Sequence, residues 1–220
     1  MDDNLSDIRS RRKRTILEAA FRVFLKTGIH NAAMETIASE AKTTRQTMYR
    51  YFLSKDALAF SVEMMVLERI FARLNDLFTT ADGLHSEQFL GLLDSLIPQF
   101  ITDYSAELLY TGIFDSYYRH YPDPDYITQM QEALREYRNP FTRIVRERGD
   151  REYIRAIGTT AEIIGETLSN SLLAMCQRVL MRRDILQKEY GLDPIVMVPV
   201  QMKLMLSGCL TPGVPIKTSD

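Results

Sequence analysis

Ten consecutive residues near the N-terminus, TTRQTMYRYF at positions 43–52, are rich in side chains that form hydrogen bonds or stack. They include two arginines, a glutamine, three threonines and three aromatic residues. Guanidinium and amide groups form paired hydrogen bonds with planar polar partners, and hydroxyl groups both donate and accept. The stretch is therefore either a solvated polar helix or a surface that contacts another molecule.

The charge distribution along the chain favours a contact surface. Residues 1–55 contain eleven Lys and Arg against six Asp and Glu, a net charge of +5. Because the whole chain has a net charge of −2, residues 56–220 have a net charge of −7. Such an asymmetry indicates an N-terminal unit that faces a polyanion, followed by a larger part that does not.

Motifs of catalysis and of metal binding are missing from the sequence. There is no nucleophile elbow, no phosphate-binding glycine loop and no metal-type spacing among the two cysteines and three histidines. Glu162 and Glu166 lie four positions apart on one helical face, where they are either structural or complements to a ligand charge. We therefore expect no enzymatic activity, no cofactor and no metal.

The sequence also predicts where the protein resides. Cys176 and Cys209 lie in apolar contexts typical of buried cytosolic thiols, and no apolar run approaches the roughly 18 residues of a membrane span. The first residues lack the layout of a signal peptide. We expect a soluble, cytoplasmic protein.

All periodic segments have helical spacing, so the predicted fold class is all-α with about nine helices. The first three helices are predicted at about 7–27, 34–40 and 45–52, with Gly28 in a left-handed conformation after the first. Thr44 is predicted to cap the third helix, and Met48 and Phe52 to face inward. Ser54 is predicted to cap a fourth helix that ends near residue 79.

The remaining segments form longer helices interrupted at glycine and proline. Breaks are predicted at 80–83 and 149–150, with kinks or breaks at Pro98 and Pro140. The segment 151–190 is predicted to be one uninterrupted helix, and Asp193 opens the last helix, which ends near 210. The predicted organisation is a helix-turn-helix domain at 1–55, a helical regulatory and dimerisation domain at 56–210, and a tail at 211–220.

The N-terminal pattern resembles the tetracycline-repressor (TetR) family of bacterial transcriptional regulators. Order and spacing match over about residues 10 to 60, and the matching segments are 16–24 with Gly28, 37–41, 47–52 and 54–58. Two positions depart from the family pattern. Ala32-Ala33 stands where a hydroxyl residue commonly precedes the second helix, and Lys42 stands where the turn usually has glycine. Lys42 is therefore predicted either to adopt a left-handed backbone at some cost or to alter the turn.

The resemblance implies that the third helix enters the major groove of double-stranded operator DNA. By position in the motif, Arg45, Gln46 and then Arg50 would contact bases. Phosphate contacts are implied for Thr44, Thr47, Tyr49, Tyr51, Lys55 and the basic run that includes Arg11, Arg12 and Arg14. The alternatives are a basic run that is merely solvated, and core packing for Tyr49 or Tyr51.

The family pattern also implies a homodimer and a small-molecule effector. The implied dimer interface lies on the last two long helices and includes Ala161, Ile164, Gly165, Leu168, Leu172, Met202, Met205 and Leu206. The candidate effector site is an aromatic region with Phe100, Tyr104, Tyr110, Phe114, Tyr117, Tyr118, Met130 and Met175. For both sets the alternative is intramolecular core. The expected function is a repressor released by a small apolar or aromatic molecule, with a constitutive regulator or an activator as alternatives.

Overall fold

The computed structural model describes residues 2–79, 83–119, 124–136 and 139–210. These residues fold into helices, with one isolated antiparallel bridge between Gly149 and Leu210. The helices are α1 (Asp2–Asn31), α2 (Met34–Glu40), α3 (Arg45–Tyr49), α4 (Lys55–Thr79), α5 (Ser86–Asp103), α6 (Ser105–Tyr118), α7 (Pro124–Glu136), α8 (Pro140–Arg148), α9 (Arg151–Ala156), α10 (Ala161–Tyr190) and α11 (Met197–Ser207), with a 3-10 turn at Pro194–Val196 before α11. The all-α prediction is confirmed. Among the helices described, none combines the length and apolarity that a bilayer crossing requires.

Side-chain caps begin several helices where the sequence predicts them. The Thr44 hydroxyl accepts from the Thr47 amide at 3.1 Å, the Ser54 hydroxyl from the Ala57 amide at 3.0 Å, and the Asp193 carboxylate from the Ile195 amide at 3.1 Å. Each bond satisfies an amide that the first helical turn leaves without a partner. The predicted break at 80–82, the residues just before Pro124 and the tail at 211–220 lie outside the described residues.

Gly28 interrupts the backbone of α1 as predicted. Its φ is 73° and its ψ is 158°, a combination that side chains with a Cβ avoid. The chain therefore changes direction after Thr27, and residues 29–31 connect to α2.

The prediction of one uninterrupted helix over 151–190 is wrong. Residues 157–160 separate α9 from α10, since Gly158 has a φ of 67° and Thr160 accepts from the Ile163 amide as the cap of α10. The glycine ends one helix and the threonines that follow it start the next. These residues therefore interrupt the helix although the apolar periodicity continues on either side.

The helices pack as two units. The first holds the described residues of 2–68 and 109–130, and the second those of 69–108 and 131–210. The predicted boundary after residue 55 coincides with the start of α4, inside the first unit. In the core of the first unit, Ile16, Phe24 and Ile37 are fully buried together with Met48 and Leu58.

The second unit is built around close contact between α8 and α10. Gly165 of α10 faces Thr142 of α8 so closely that a Cβ at position 165 would lie 2.0 Å from the threonine hydroxyl and 2.5 Å from its backbone nitrogen. The Arg146 guanidinium also pairs with Glu162 at 2.7 Å. The backbone amide at Glu162, then the Arg146 and Thr160 side chains, lower the pKa of that carboxyl to about 2.

An apolar cavity of about 20 Å³ remains in the second unit, which is room for about one water molecule. Its walls are carbon side chains, among them Phe78, Phe89 and Phe141, whose rings contact one another at centroid distances of 4.8 to 5.5 Å. The core of this unit is therefore close-packed.

The close approach at Gly165 predicts a large loss of stability on adding one methyl group. We expect Gly165→Ala to lower the free energy of unfolding by at least about 2 kcal/mol, because the backbone of Thr142 must move. Gly91→Ala is the matched control, since nothing lies within 4 Å of the added Cβ in the middle of α5. It should raise stability by about 0.5–1 kcal/mol through helix propensity. Urea unfolding measures both, and equal effects would contradict the packing at Gly165.

Candidate nucleic-acid interface

The short helix α3 is fixed to the first unit by two apolar side chains and one cap. Met48 is 0% exposed and Phe52 is 3% exposed, so both inward predictions are confirmed. At the start of α3, the Thr44 and Thr47 hydroxyls lie 2.9 Å apart, which orients both side chains along the first turn. The remaining positions of α3 are thereby turned away from the core.

The outward face of α3 presents the polar side chains that the sequence singled out. Arg45, Gln46 and Arg50 are exposed, Tyr49 is 36% exposed, and Tyr51 is half-buried. This face is therefore open to a partner. It presents the Arg45 guanidinium and the Gln46 amide on the first turn of α3, and the Arg50 guanidinium just after its last residue. Guanidinium and amide groups are the side chains that form bidentate hydrogen bonds with base edges.

Arg45 has partners within the protein that the sequence analysis missed. Its guanidinium pairs with the Glu35 carboxylate of α2 and lies over the Tyr49 ring, 5.4 Å from the centroid. It also donates to the Tyr49 hydroxyl at 3.5 Å. The hydrogen bond with Tyr49, and then the charge of Glu35, raise the pKa of Arg45. The signal that could have found the Tyr49 contact is its i, i+4 spacing from Arg45.

The turn between α2 and α3 has the conformation that its unusual residue suggested. Lys42 has a φ of 50°, so it adopts the left-handed backbone where the family pattern has glycine. The Lys42 and Thr43 amides donate to Ser39 and Ala38 carbonyls at 3.0 and 2.9 Å, which closes the end of α2. At the other end of α2, Ala33 occupies the cap position without a side-chain hydrogen bond, as Ala32-Ala33 implied.

Lys55 lies at the start of α4 and is held by the connection between α1 and α2. Its ammonium donates to the His30 carbonyl at 2.7 Å and to the Ala32 carbonyl at 3.3 Å. These bonds satisfy carbonyls at the end of α1 and fix the entry to α2. Lys55 therefore has a structural role whether or not its remaining N–H group binds a phosphate.

The basic run lies on an exposed segment of α1. Arg11 pairs with Asp7, and the Lys13 ammonium lies 5.9 Å from the Phe52 ring centroid. Arg12 and Arg14 are exposed on the same segment. The Lys13 contact brings this part of α1 next to Phe52, just after α3. The basic residues of α1 and those of α3 therefore lie beside each other.

Comparison with known proteins identifies the segment that carries this geometry. Residues 16–62 match the family model of bacterial regulatory proteins, tetR family. The HTH-type transcriptional repressor NicS of Pseudomonas putida is 34% identical over 112 residues, 47% of this chain and 51% of NicS. The HTH-type transcriptional regulator UidR of Escherichia coli is 29% identical over 90 residues, 41% of this chain and 44% of UidR. Residues 16–62 thus match the DNA-binding segment of the TetR family.

The fold of the chain is similar to a solved structure over most of its length. This structure is the transcriptional regulator FadR from Bacillus subtilis in complex with stearoyl-CoA. The match covers 89% of this chain and 98% of the FadR chain, with a TM-score of 0.60 and 18% sequence identity. In sequence, the chain spans about half the length of the curated relatives it matches. The structural likeness shows the fold, and the sequence match is strongest where the DNA-facing helices lie.

The predicted effector residues fall into both units. Tyr110, Phe114, Tyr117, Tyr118 and Met130 belong to the first unit, whereas Phe100, Tyr104 and Met175 belong to the second. Phe100 lines the small apolar cavity and stacks on Tyr104 at 5.5 Å. In the first unit, the Phe114 ring lies 6.5 Å from Tyr110 and 5.5 Å from Tyr118.

The predicted dimer residues lie mostly on the inward side of α10 and α11. Gly165, Leu168, Leu172, Met202 and Leu206 are buried within the single chain, and Ala161, Ile164 and Met205 are half-buried. The outward sides carry different apolar residues that the sequence analysis did not single out. They are Ile163 at 58% exposure, Val200 at 49% and Leu204 at 71%. Helical spacing assigned these residues to two helices, but it did not separate the buried face of each helix from its exposed face.

The positive φ of Lys42 predicts that glycine would stabilise the turn. A left-handed conformation costs a residue with a Cβ about 1–2 kcal/mol, and the greater freedom of glycine in the unfolded chain offsets about half of this. We therefore expect Lys42→Gly to raise the free energy of unfolding by about 0.5–1 kcal/mol. Lys42→Ala is the control, because it removes the ammonium and keeps the strained φ. Equal stability of the two variants in urea would contradict the strain.

Proposed function

We propose that this protein is a transcriptional regulator that binds a palindromic operator as a homodimer and is released by a small apolar or aromatic molecule. The observation that carries the proposal is the outward face of α3, where Arg45, Gln46 and Arg50 project from a helix seated by Met48 and Phe52. NicS, a relative that matches this part of the chain, is named a repressor. An activator, or a constitutive regulator without an effector, is the alternative.

In the proposal, the side chains around α3 divide into base readers and phosphate contacts. Arg45 and Gln46 read base edges first, with Arg50 next. The phosphate contacts come from Thr44, Thr47, Tyr49, Tyr51 and Lys55, and from Arg11, Arg12 and Arg14 of α1. Phosphate contacts fix the position of the protein on DNA, whereas base contacts give the sequence preference. The net positive charge of residues 1–55 supports binding to DNA of any sequence.

The division of roles predicts different effects for two Arg→Ala substitutions. Arg45→Ala should lower affinity for a sequence selected from a random duplex library by about 10- to 100-fold and relax the preference at one base pair, because one bidentate contact is worth about 1–3 kcal/mol. Arg12→Ala should lower affinity for selected and random DNA alike and reduce the salt slope by about one. Fluorescence anisotropy at several salt concentrations measures both. Equal losses on selected and random DNA for Arg45→Ala would refute its role as a reader.

A homodimer is proposed because α3 has only five residues and reads few base pairs. Two copies related by a twofold axis would place two such helices on half-sites about one turn of DNA apart. The proposed interface is the outward side of α10 and α11, where Ile163, Val200 and Leu204 are exposed. Together with Tyr153 of α9 and Ile157 just after it, they form an apolar surface of the kind that a second copy would cover.

The proposed interface predicts a monomer when one exposed apolar residue becomes acidic. Leu204→Glu should shift the sedimentation equilibrium toward monomer and weaken operator binding, because a dimer would have to bury the carboxylate. Ile127→Glu is the control, since Ile127 is 45% exposed on α7 of the first unit and is not among the residues of the proposed interface. A dimer of unchanged affinity in Leu204→Glu would contradict this interface.

We place the effector against α6 in the first unit, because most of the predicted aromatic residues lie there together with the DNA-facing helices. The Tyr110 ring contacts Phe21 and Phe24 of α1 at centroid distances of 5.5 and 6.2 Å, and its hydroxyl donates to the Ala59 carbonyl at 2.9 Å. A molecule that displaces Tyr110 would change the packing of α1. Binding of effector and of DNA would then oppose each other, typically by about 1–3 kcal/mol. The stearoyl-CoA bound to FadR supports ligand binding within this fold.

A further inference from the structure

A carboxyl group lies buried in the first unit, where no donor satisfies it. Glu63 of α4 is 3% exposed, and among the residues that the structure describes none donates a hydrogen bond to its Oε2. Buried polar atoms in folded proteins nearly always have a partner, so one without a partner calls for an explanation. A carboxyl group so placed either keeps a proton or receives a cation.

Aromatic rings accompany this carboxyl group on α4 and α6. Phe60 precedes Glu63 by one turn on the same face of α4, and its ring stacks on Tyr126 of α7 at 4.5 Å and lies 6.3 Å from Phe114. Tyr110, one turn before Phe114 on α6, lies 6.5 Å from it. The faces of aromatic rings attract cations, as a carboxylate does. Both chemical elements of an organic-cation site are therefore present in one cluster.

Burial and one ionisable group of α6 act on the protonation of Glu63. Desolvation, and then the negative charge of Asp115, raise the pKa of Glu63 well above its ordinary value. Desolvation, with Glu63 as the next cause, also raises the pKa of Tyr110. The Glu63 carboxyl group thus retains its proton to a higher pH than an exposed glutamate, and a nearby cation would reverse this effect.

We propose that Glu63 and the rings of Phe60, Tyr110 and Phe114 form a subsite for an organic cation that carries apolar or aromatic groups. A neutral aromatic molecule would leave Oε2 without a partner, whereas a quaternary ammonium, a phosphonium or a protonated amine would pair with it. A metal ion fits less well, because the neighbouring side chains are rings rather than oxygen ligands. Groups of three or more metal-binding side chains are also missing from the described part of the chain.

The subsite is directly connected to the DNA-facing helices of the same unit. Tyr110 belongs to the subsite and also packs on Phe21 and Phe24 of α1. A cation that draws Tyr110 toward Glu63 would therefore alter the support of α1. The role of the subsite as the effector site rests on the proposed function. Cation binding by the subsite does not, because it is measured without DNA.

The test titrates the full chain with tetraphenylphosphonium, ethidium and benzyltrimethylammonium, and with neutral triphenylphosphine oxide as the uncharged comparison. At least one cation should bind the wild type, and Glu63→Gln should bind it at least ~10-fold more weakly. Glu68→Gln is the matched control, because Glu68 is exposed on the same helix. Triphenylphosphine oxide should not distinguish Glu63→Gln from the wild type. Wild-type affinity for the cation in Glu63→Gln, or no binding of any of the three cations, would overturn the inference.

Proton release gives a second measurement that needs no variant. If the cation replaces the proton of Glu63, calorimetry in buffers of different ionisation enthalpy should detect up to about one proton released per cation bound. Affinity should rise with pH over a range that begins at the ordinary pKa of a glutamate and ends where the empty site is itself ionised. Binding without proton release at every pH in this range would also overturn the inference.

Anisotropy with the selected duplex separates this inference from the proposed function. Loss of DNA binding on adding the cation, in the wild type and not in Glu63→Gln, supports both. Intact DNA binding without cation binding overturns the subsite alone. Cation binding to a chain that has no preference for any duplex overturns the proposed function alone.

Discussion

A helix of five residues forms too few internal hydrogen bonds to offset the cost of its own nucleation, so α3 depends on its attachment to the first unit. Met48 and Phe52 supply that attachment, and Thr44 satisfies an amide of the first turn. Because the apolar side chains are used inward, Arg45 and Gln46 are left on the outer face without a role in packing. The polar surface is thus a consequence of how the helix is anchored.

The same unit holds the anchored helix and the buried ring of Tyr110. Lys55 fixes the connection between α1 and α2 through two carbonyl groups, and the Tyr110 hydroxyl binds the Ala59 carbonyl one turn further along α4. The Tyr117 hydroxyl donates to the carboxylate of Asp56, which lies between Lys55 and Ala59 in the sequence. The start of α4 is therefore tied to α1 and to α6 within a few residues.

Local features of this fold could be predicted from the sequence because each depends on a few neighbouring residues. The caps at Thr44 and Ser54 and the positive φ of Gly28 and Lys42 are of this kind. The break at 157–160 has equally local signals. The prediction of a single helix followed the apolar periodicity on both sides instead of these signals. Contacts between elements could not be predicted in the same way. The pairing of Arg45 with Glu35, ten residues apart, requires the angle between α2 and α3.

That pairing would also hold Arg45 in place and leave it available for its proposed role as a base reader. The Arg45 and Glu35 side chains are each 59% exposed, so water screens the pair and it contributes little to stability. The Tyr49 ring beneath the guanidinium and the long hydrogen bond to the Tyr49 hydroxyl restrict the arginine. Exchange of the Glu35 carboxylate for a guanine edge therefore costs little, while the restriction reduces the conformational entropy lost on binding. A buried pair at this position would have opposed the exchange much more strongly.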